Sequence, residues 1–202
     1  MVNRFILASK SLRRYELLKQ MGLDFDMIHS GIEEEGFPQD ESPKGHVIRL
    51  SEAKAIDVGR RYTDHWVVAA DTIVTIDDAI LGKPRNQQEA VEMLHRLSGR
   101  EHCVVTGFSV LHLGKGKGDR EAVQTSVKMK SLTPAEVAWY VATGEPFDKA
   151  GGYAIQGMGS FMIESIRGSY TNVVGLPLCE LIQMMNRLGA IAILESGFRV
   201  AE

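Results

Sequence analysis

Cysteine, long apolar runs and excess charge of one sign are all scarce in this sequence, and each scarcity excludes a class of protein. The only cysteines are Cys103 and Cys179, too few and too far apart for a disulfide framework or a cysteine zinc cluster. Buried, reduced thiols in a cytoplasmic protein are the expectation. No apolar run approaches the roughly 20 residues that span a bilayer. The opening "MVNRFILASKS" turns polar too soon for a signal peptide. These two observations predict no membrane association and a cytoplasmic location. A net charge of −3 argues against stable nucleic-acid binding. It leaves room for one small polyanion, because local charges dominate within a Debye length of about 8 Å. Proline is also sparse, at six residues, and there is no repeat, low-complexity stretch or interdomain linker.

What is present is ordinary globular material, 44% hydrophobic and 24% charged over 202 residues, which suits a single domain over 1–202. Arg4–Ala8 reads as a strand, followed by a helix that ends near Gly22, with Ser9 and Ser11 as N-cap candidates. Phe25–His29 is a second strand, and the polar stretch from Ser30 to Pro43 a loop. A helix follows to about Val58. "WVVAADTIVTI" is apolar enough to be a central strand, turning at Asp77-Asp78 into "AILGKP". Asn86–Leu97 has helical spacing in Ala90, Met93, Leu94 and Leu97. Cys103–Leu113 and Glu121–Met129 read as paired strands around "GKGKGD". Thr133-Pro-Ala-Glu136 opens a helix with a capping box. Phe161–Ile166 reads as a strand, and Pro177–Gly189 frames a last helix with an apolar stripe at Leu178, Leu181, Ile182, Met185 and Leu188. Strands alternating with helices but interrupted by hairpins predict an α/β fold with a mixed sheet.

Four stretches carry polar residues that a core does not need. In "LASKSLRR", a strand runs into a helix N-terminus, whose amides and dipole favour an anion. Ser9 and Ser11 add hydroxyls, and Arg13 and Arg14 add forked donors that match phosphate. The plainer reading is a capped helix with two solvated arginines. Asp71 sits in the most apolar strand, where a lone carboxylate would be costly. It therefore has a structural partner or faces a cleft, where it could hold a metal or act as a general base. Asp71→Asn keeps the size of the side chain and is expected to spare the fold. Lys54 in "LSEAKA" reads alone as a solvated helix residue, and Lys83 in "LGKP" as a turn residue. Both gain meaning only if they converge on a polyanion. The glycine-rich "GEPFDKAGGYAIQG" offers Asp148, Lys149, Tyr153 and Gln156 as its polar contents. The acidic run Glu33-Glu34-Glu35 is a solvated loop or the source of one metal ligand. The six histidines show no ligand spacing. Cations, serines and carboxylates without cysteine or histidine ligands suit a phosphate ester with Mg²⁺ or Mn²⁺. No GxxxxGK[ST] run is present, so the chain is not a P-loop protein.

"ILASKSLRRYELL", "AADTIV", "LGKP", "LSGREHCVVTG", "GEPFDKAGGYAIQG" and "NVVGLPL", in that order, resemble the Maf family of nucleoside triphosphate pyrophosphatases from about Arg4 to Leu188. The resemblance implies an α/β fold of the Maf/ITPase-like kind: a mixed twisted sheet with flanking helices, in two lobes around a nucleotide-binding cleft. It also implies a divalent cation, a cytoplasmic location, often a homodimer, and hydrolysis of a nucleoside triphosphate to the monophosphate and pyrophosphate. "YAIQG" resembles the branch acting on dTTP and UTP, a nucleotide-sanitation activity with a link to cell-division arrest. In the family the ADT aspartate is taken as the catalytic base, and Asp71 matches it. Arg13, Thr72 and Gln156 match specificity positions. The mechanism this implies has Ser9, Arg13, Arg14, Lys54 and Lys83 holding phosphates, and a metal held by Asp71 and Glu34. The family's SPRR is Ser11-Leu12-Arg13-Arg14 here, without the helix-opening proline. The tail 189–202 lies outside the resemblance. A competing class is a nucleotide-binding regulator of septum formation without turnover. Such a protein would keep the cations but has no need of Asp71.

Overall fold

In the computed structural model, residues 4–33, 41–77, 79–194 and 197–200 are described. The apolar run after Arg4 forms β1 (Phe5–Leu7), with all three side chains buried. Its neighbours are β2 (Phe25–Met27) and β3 (Val67–Ile76), both parallel to it. Between β1 and β2 lies α1 (Leu12–Gln20), which turns Leu17 and Leu18 inward. Between β2 and β3 lies α2 (Pro43–Arg61), capped by the Ser42 hydroxyl, which accepts from the Gly45 amide. Asp77, at a positive φ of 51°, then turns the chain into β4 (Ala79–Leu81), antiparallel to β3. The long strands β5 (Glu101–His112) and β6 (Lys117–Met129), and the short β7 (Ile163–Arg167), complete a seven-stranded sheet. Its order is β2-β1-β3-β5-β6-β7, with β4 on β3. Parallel pairs at β1 and antiparallel pairs at β4 and β7 make it the mixed sheet that interrupted alternation predicts.

The remaining helices are α3 (Gln87–Leu97), α4 (Pro134–Ala142), α5 (Tyr170–Val174) and α6 (Leu178–Leu188). On α3 the buried residues are Ala90, Met93, Leu94 and Leu97, the stripe that the 3.6-residue period predicts. Each large one contributes about 1.5–3 kcal/mol by leaving water. The Thr133–Glu136 capping box of α4 forms in both directions.

The chain divides into two units. The first comprises Met1–Asp71, Thr106–Ala122 and Gly175–Glu202, and the second Thr72–Val105 and Val123–Val174. In the first, Ile6, Ala8, Ala55, Val58, Val67 and Ala69 pack α2 on the parallel strands. Gly107 of β5 lets that helix approach closely: a Cβ there would lie 2.4 Å from the Val47 carbonyl carbon. In the second unit Leu94, Leu97, Val127, Met129 and Tyr140 lie at the centre of a larger apolar cluster.

Several elements differ from expectation. β6 starts at Lys117 rather than Glu121, because Gly116 at φ 59° closes the turn early and the "GD" of the supposed loop is strand. Phe161 and Met162 are not strand; they end a 3₁₀ segment over Gly157–Met162, and β7 begins at Ile163. On α6, Met184 is buried, whereas Leu178, Ile182 and Leu188 are only half-buried. Cys179 is exposed and Cys103 half-buried, so neither is the buried thiol expected. The tail carries a further hairpin, β8 (Ile191–Leu194) and β9 (Gly197–Val200). No helix among the described residues is long and apolar enough to cross a membrane.

Candidate functional site

β1 delivers Ser9 to the start of α1. The Ala8 amide donates to the Val68 carbonyl at 2.7 Å, which ties the end of β1 to β3. Ser9 is buried, and its Oγ accepts from the Ser11 amide (3.1 Å) and from Arg14 Nη1 (3.3 Å). Ser11, not Ser9, is the N-cap: its Oγ accepts from the Arg14 amide. Arg14 Nε donates to the Gly175 carbonyl at 2.8 Å. The two arginines are therefore not equivalent. Arg14 braces the motif against the "NVVGLPL" segment, and Arg13 sits half-buried on the opening turn of α1.

Asp71 is buried in β3, and its partner is Lys54 of α2. Lys54 Nζ donates to Asp71 Oδ1 at 2.6 Å, and each side chain is only 6% exposed. The solvated reading of Lys54 is thus corrected. Its aliphatic stem packs in the α2 face, and its ammonium meets the one carboxylate in the apolar strand. Just before the α2 cap, Glu41 receives two guanidinium hydrogen bonds from Arg49 (2.7 and 2.8 Å) and faces His46 Nδ1 at 2.9 Å. The bonds from Arg49 hold the Glu41 carboxyl down to about 2, and Glu41 in turn raises Arg49, with a smaller push from the Asp71 charge. This cluster fixes the start of α2. Ser9, Arg13, Arg14, Lys54 and Asp71 all belong to the first unit.

The second unit carries the other expected residues. Thr72, half-buried, follows Asp71 in β3. Lys83 is exposed after β4. The Gly151 amide donates to the Gly82 carbonyl at 2.9 Å, which joins the "LGKP" segment to the glycine-rich loop. Gln156 is exposed and precedes the 3₁₀ segment Gly157–Met162. Beside that segment a surface cavity of about 540 Å³ is lined mainly by Trp139, Met158 and Phe161. Glu34 and Glu35 lie outside the described residues. Among the described residues no three His, Cys, Asp or Glu side chains gather to cage a metal.

Two arrangements in the second unit have no counterpart in the sequence reading. Tyr140 and Glu145 bind the backbone on both sides of Gln156. Glu145 lies within the quoted motif, but nothing in its spacing distinguishes it from a loop acid. His102 Nε2 faces Tyr153 Oη at 2.6 Å in the core, and burial pushes the imidazole down to about 4. A histidine in an alternating strand gave no signal for that pair.

A family model described as "Maf-like protein" matches residues 4–188. A dTTP/UTP pyrophosphatase of Syntrophotalea carbinolica is 50% identical over 193 residues, spanning 95% of this chain and 87% of that protein. Another dTTP/UTP pyrophosphatase, from Syntrophus aciditrophicus, is 48% identical over 191 residues, with coverage of 95% and 93%. Among solved structures, a nucleoside-triphosphatase / dITP/XTP pyrophosphatase of Mycobacterium abscessus aligns at TM-score 0.43 and 13% identity, covering 92% of this chain and 95% of its own.

Proposed function

Because the chain belongs to the Maf-like protein family, we propose that it hydrolyses nucleoside triphosphates, dTTP and UTP above all, to the monophosphate and pyrophosphate. The observation that carries this reading is the buried Lys54–Asp71 pair. Lys54 offsets the cost of a carboxylate inside an apolar strand, and the pair sits at the position that the family resemblance assigns to the catalytic base. The names of relatives at 48–50% identity support the choice of substrate. We also infer a cytoplasmic homodimer, as the family resemblance implies.

In this mechanism Ser9, the α1 amides and Arg13 receive phosphate oxygens, while Arg14 keeps Ser9 and the helix start in place. The 2.6 Å hydrogen bond from Lys54 orients the Asp71 carboxylate, which takes a proton from a water molecule. That water attacks the α-phosphorus. The bond from the α-phosphorus to the α–β bridging oxygen breaks, and pyrophosphate leaves with the electron pair. Lys83 compensates charge on the departing phosphates, and Thr72 and Gln156 meet the nucleoside. A neutral amide at Gln156 supplies both a donor and an acceptor, as the carbonyl–N–H–carbonyl edge of thymine or uracil requires.

The donor set also fits a divalent cation. A single carboxylate suits Mg²⁺ or Mn²⁺ that draws most of its ligands from water and triphosphate oxygens, as Mg²⁺ does at many phosphate sites. Asp71 would hold it, with Glu34 as a second ligand, and it would supply neutralisation of developing phosphate charge.

The test is hydrolysis of dTTP in ¹⁸O-water with Mg²⁺. Label is expected in the monophosphate. Label in pyrophosphate means attack at the β-phosphorus, and release of orthophosphate from the nucleotide would sink the pyrophosphatase reading.

A further inference from the structure

Gln156 is exposed on a loop, yet base reading needs it held to a fraction of an ångström. The loop itself supplies little rigidity, since Gly157 has φ 70° and no side chain. Stiffness comes instead from α4. Buried Tyr140 accepts a hydrogen bond from the Ala154 amide at 3.2 Å, two residues before Gln156. The same hydroxyl donates to Glu145 Oε1 at 2.9 Å. Glu145 then accepts from the Met158 amide through Oε2 (3.0 Å) and the Gly159 amide through Oε1 (3.1 Å). One phenol–carboxylate pair thus grips the chain on both sides of Ile155-Gln156-Gly157. The fit is close: a Cβ on Gly157 would lie 2.8 Å from Glu145 Oε2. Burial, with the bond to Glu145, raises the Tyr140 phenol well above its usual range, so its proton stays available for Glu145. Lys149 Nζ donates to the Glu145 carbonyl at 2.8 Å, which steadies the acid's own backbone.

We propose that Glu145, acting with Tyr140, is a positioning residue that fixes Gln156 and so sets how sharply the protein selects among bases. This inference rests on the reading of Gln156 as the base-contacting side chain. Neither Tyr140 nor Glu145 touches the substrate; they act through the backbone that carries Gln156. A misplacement of about 1 Å can cost about 10²-fold. Glu145→Gln keeps the shape but cannot accept two amides and a phenol together. It is therefore expected to lower the ratio of kcat/KM for dTTP over dCTP by roughly 10- to 100-fold, mainly through KM for dTTP.

The experiment is a double-mutant cycle of Glu145→Gln with Gln156→Ala, read as the dTTP/dCTP ratio, together with amide exchange by NMR. Support is a large change of ratio from Glu145→Gln alone, no further change in the Gln156→Ala background, and faster exchange at Met158 and Gly159 with β3 unaltered. An equal change in both backgrounds would mean a merely structural effect and overturn the proposal. Unchanged exchange at the two amides would do the same. If Gln156→Ala alone leaves the ratio untouched, the base-reading assignment falls first and takes this inference with it. Should Glu145→Gln not fold, Tyr140→Phe removes the bridging hydroxyl and runs the same cycle, with Ala154 as the reporting amide.

Discussion

The Lys54 ammonium lies 2.6 Å from the Asp71 carboxylate, and both side chains are shielded from solvent. Neither residue can be altered without changing the other's surroundings. Asp71→Asn is expected to lower turnover by ~10²–10⁴-fold, the usual cost of a lost general base. It is also expected to destabilise the fold, because removing one partner of a buried pair typically costs about 3–5 kcal/mol. Sequence alone makes this substitution look structurally silent; the pairing says otherwise. Urea unfolding and dTTP turnover measure the two effects separately. Lys54→Met combined with Asp71→Leu should regain stability and remain inactive. An active Asp71→Asn protein would remove Asp71 from the chemistry.

Gln156→Glu tests the base contact itself. A carboxylate facing a pyrimidine carbonyl sets acceptor against acceptor, a mismatch of roughly 1–3 kcal/mol. The wild-type protein is expected to prefer dTTP and UTP over dCTP, purine triphosphates and 7-methyl-GTP, and the substitution should erode that preference. Activity on 7-methyl-GTP, with its positive charge and N–H donors, should rise in relative terms. Values of kcat/KM across the nucleotide panel decide it, and an unaltered ranking would show that Gln156 does not read the base.

His102 predicts an acid limb in stability. Burial lowers its imidazole from 6.5 to about 4, so the folded protein keeps the ring neutral where the unfolded chain is protonated. Stability from this residue is complete above pH 6.5 and is lost as pH falls toward 4, on the order of 3 kcal/mol over the window. Glu41, held down to about 2 by Arg49, loses its contribution at lower pH, below its ordinary value of 4.5. The two windows are thus largely separate. His102→Gln should flatten Tm between pH 6.5 and 4.5. An unchanged slope would move the acid sensitivity elsewhere.

Leu12 stands where the family pattern has proline, and it is 72% exposed at the first position of α1. Ser11 is extended, at φ −77° and ψ 114°, which suits a residue before proline. Leu12→Pro should therefore stabilise by about 0.4–1 kcal/mol through the unfolded chain, with dTTP turnover retained. A lower Tm would show that the Leu12 amide is needed.

Much of this was legible because local chemistry reports it. Ser11 as a cap, the Thr133–Glu136 box and the α3 stripe follow from spacing within one turn of helix. Asp71 announced itself by polarity in an apolar run. Lys54 did not, because "LSEAKA" has the composition of a solvated face and its burial depends on a strand 17 residues away. The Tyr140–Glu145 clamp was equally hidden, since Glu145, just past α4, reaches amides 13 and 14 residues further on. The Phe161-Met162 error has a local cause: apolar residues looked like strand, but the glycine-rich approach winds into a 3₁₀ segment. The tail hairpin was too short and too poorly patterned to distinguish from a disordered end.

The hydrogen bond from Arg14 to Gly175 spans 161 positions of the chain. At translation rates of about 5–20 residues per second, Arg14 is synthesised roughly 8–32 s before its acceptor exists. A nascent chain therefore carries its signature motif long before it can hold that motif in working geometry. Ribosomes stalled short of Gly175, and messages truncated there, yield a polypeptide with the arginine but not its brace. The proposed nucleotide hydrolysis is therefore expected only of chains that extend past Gly175.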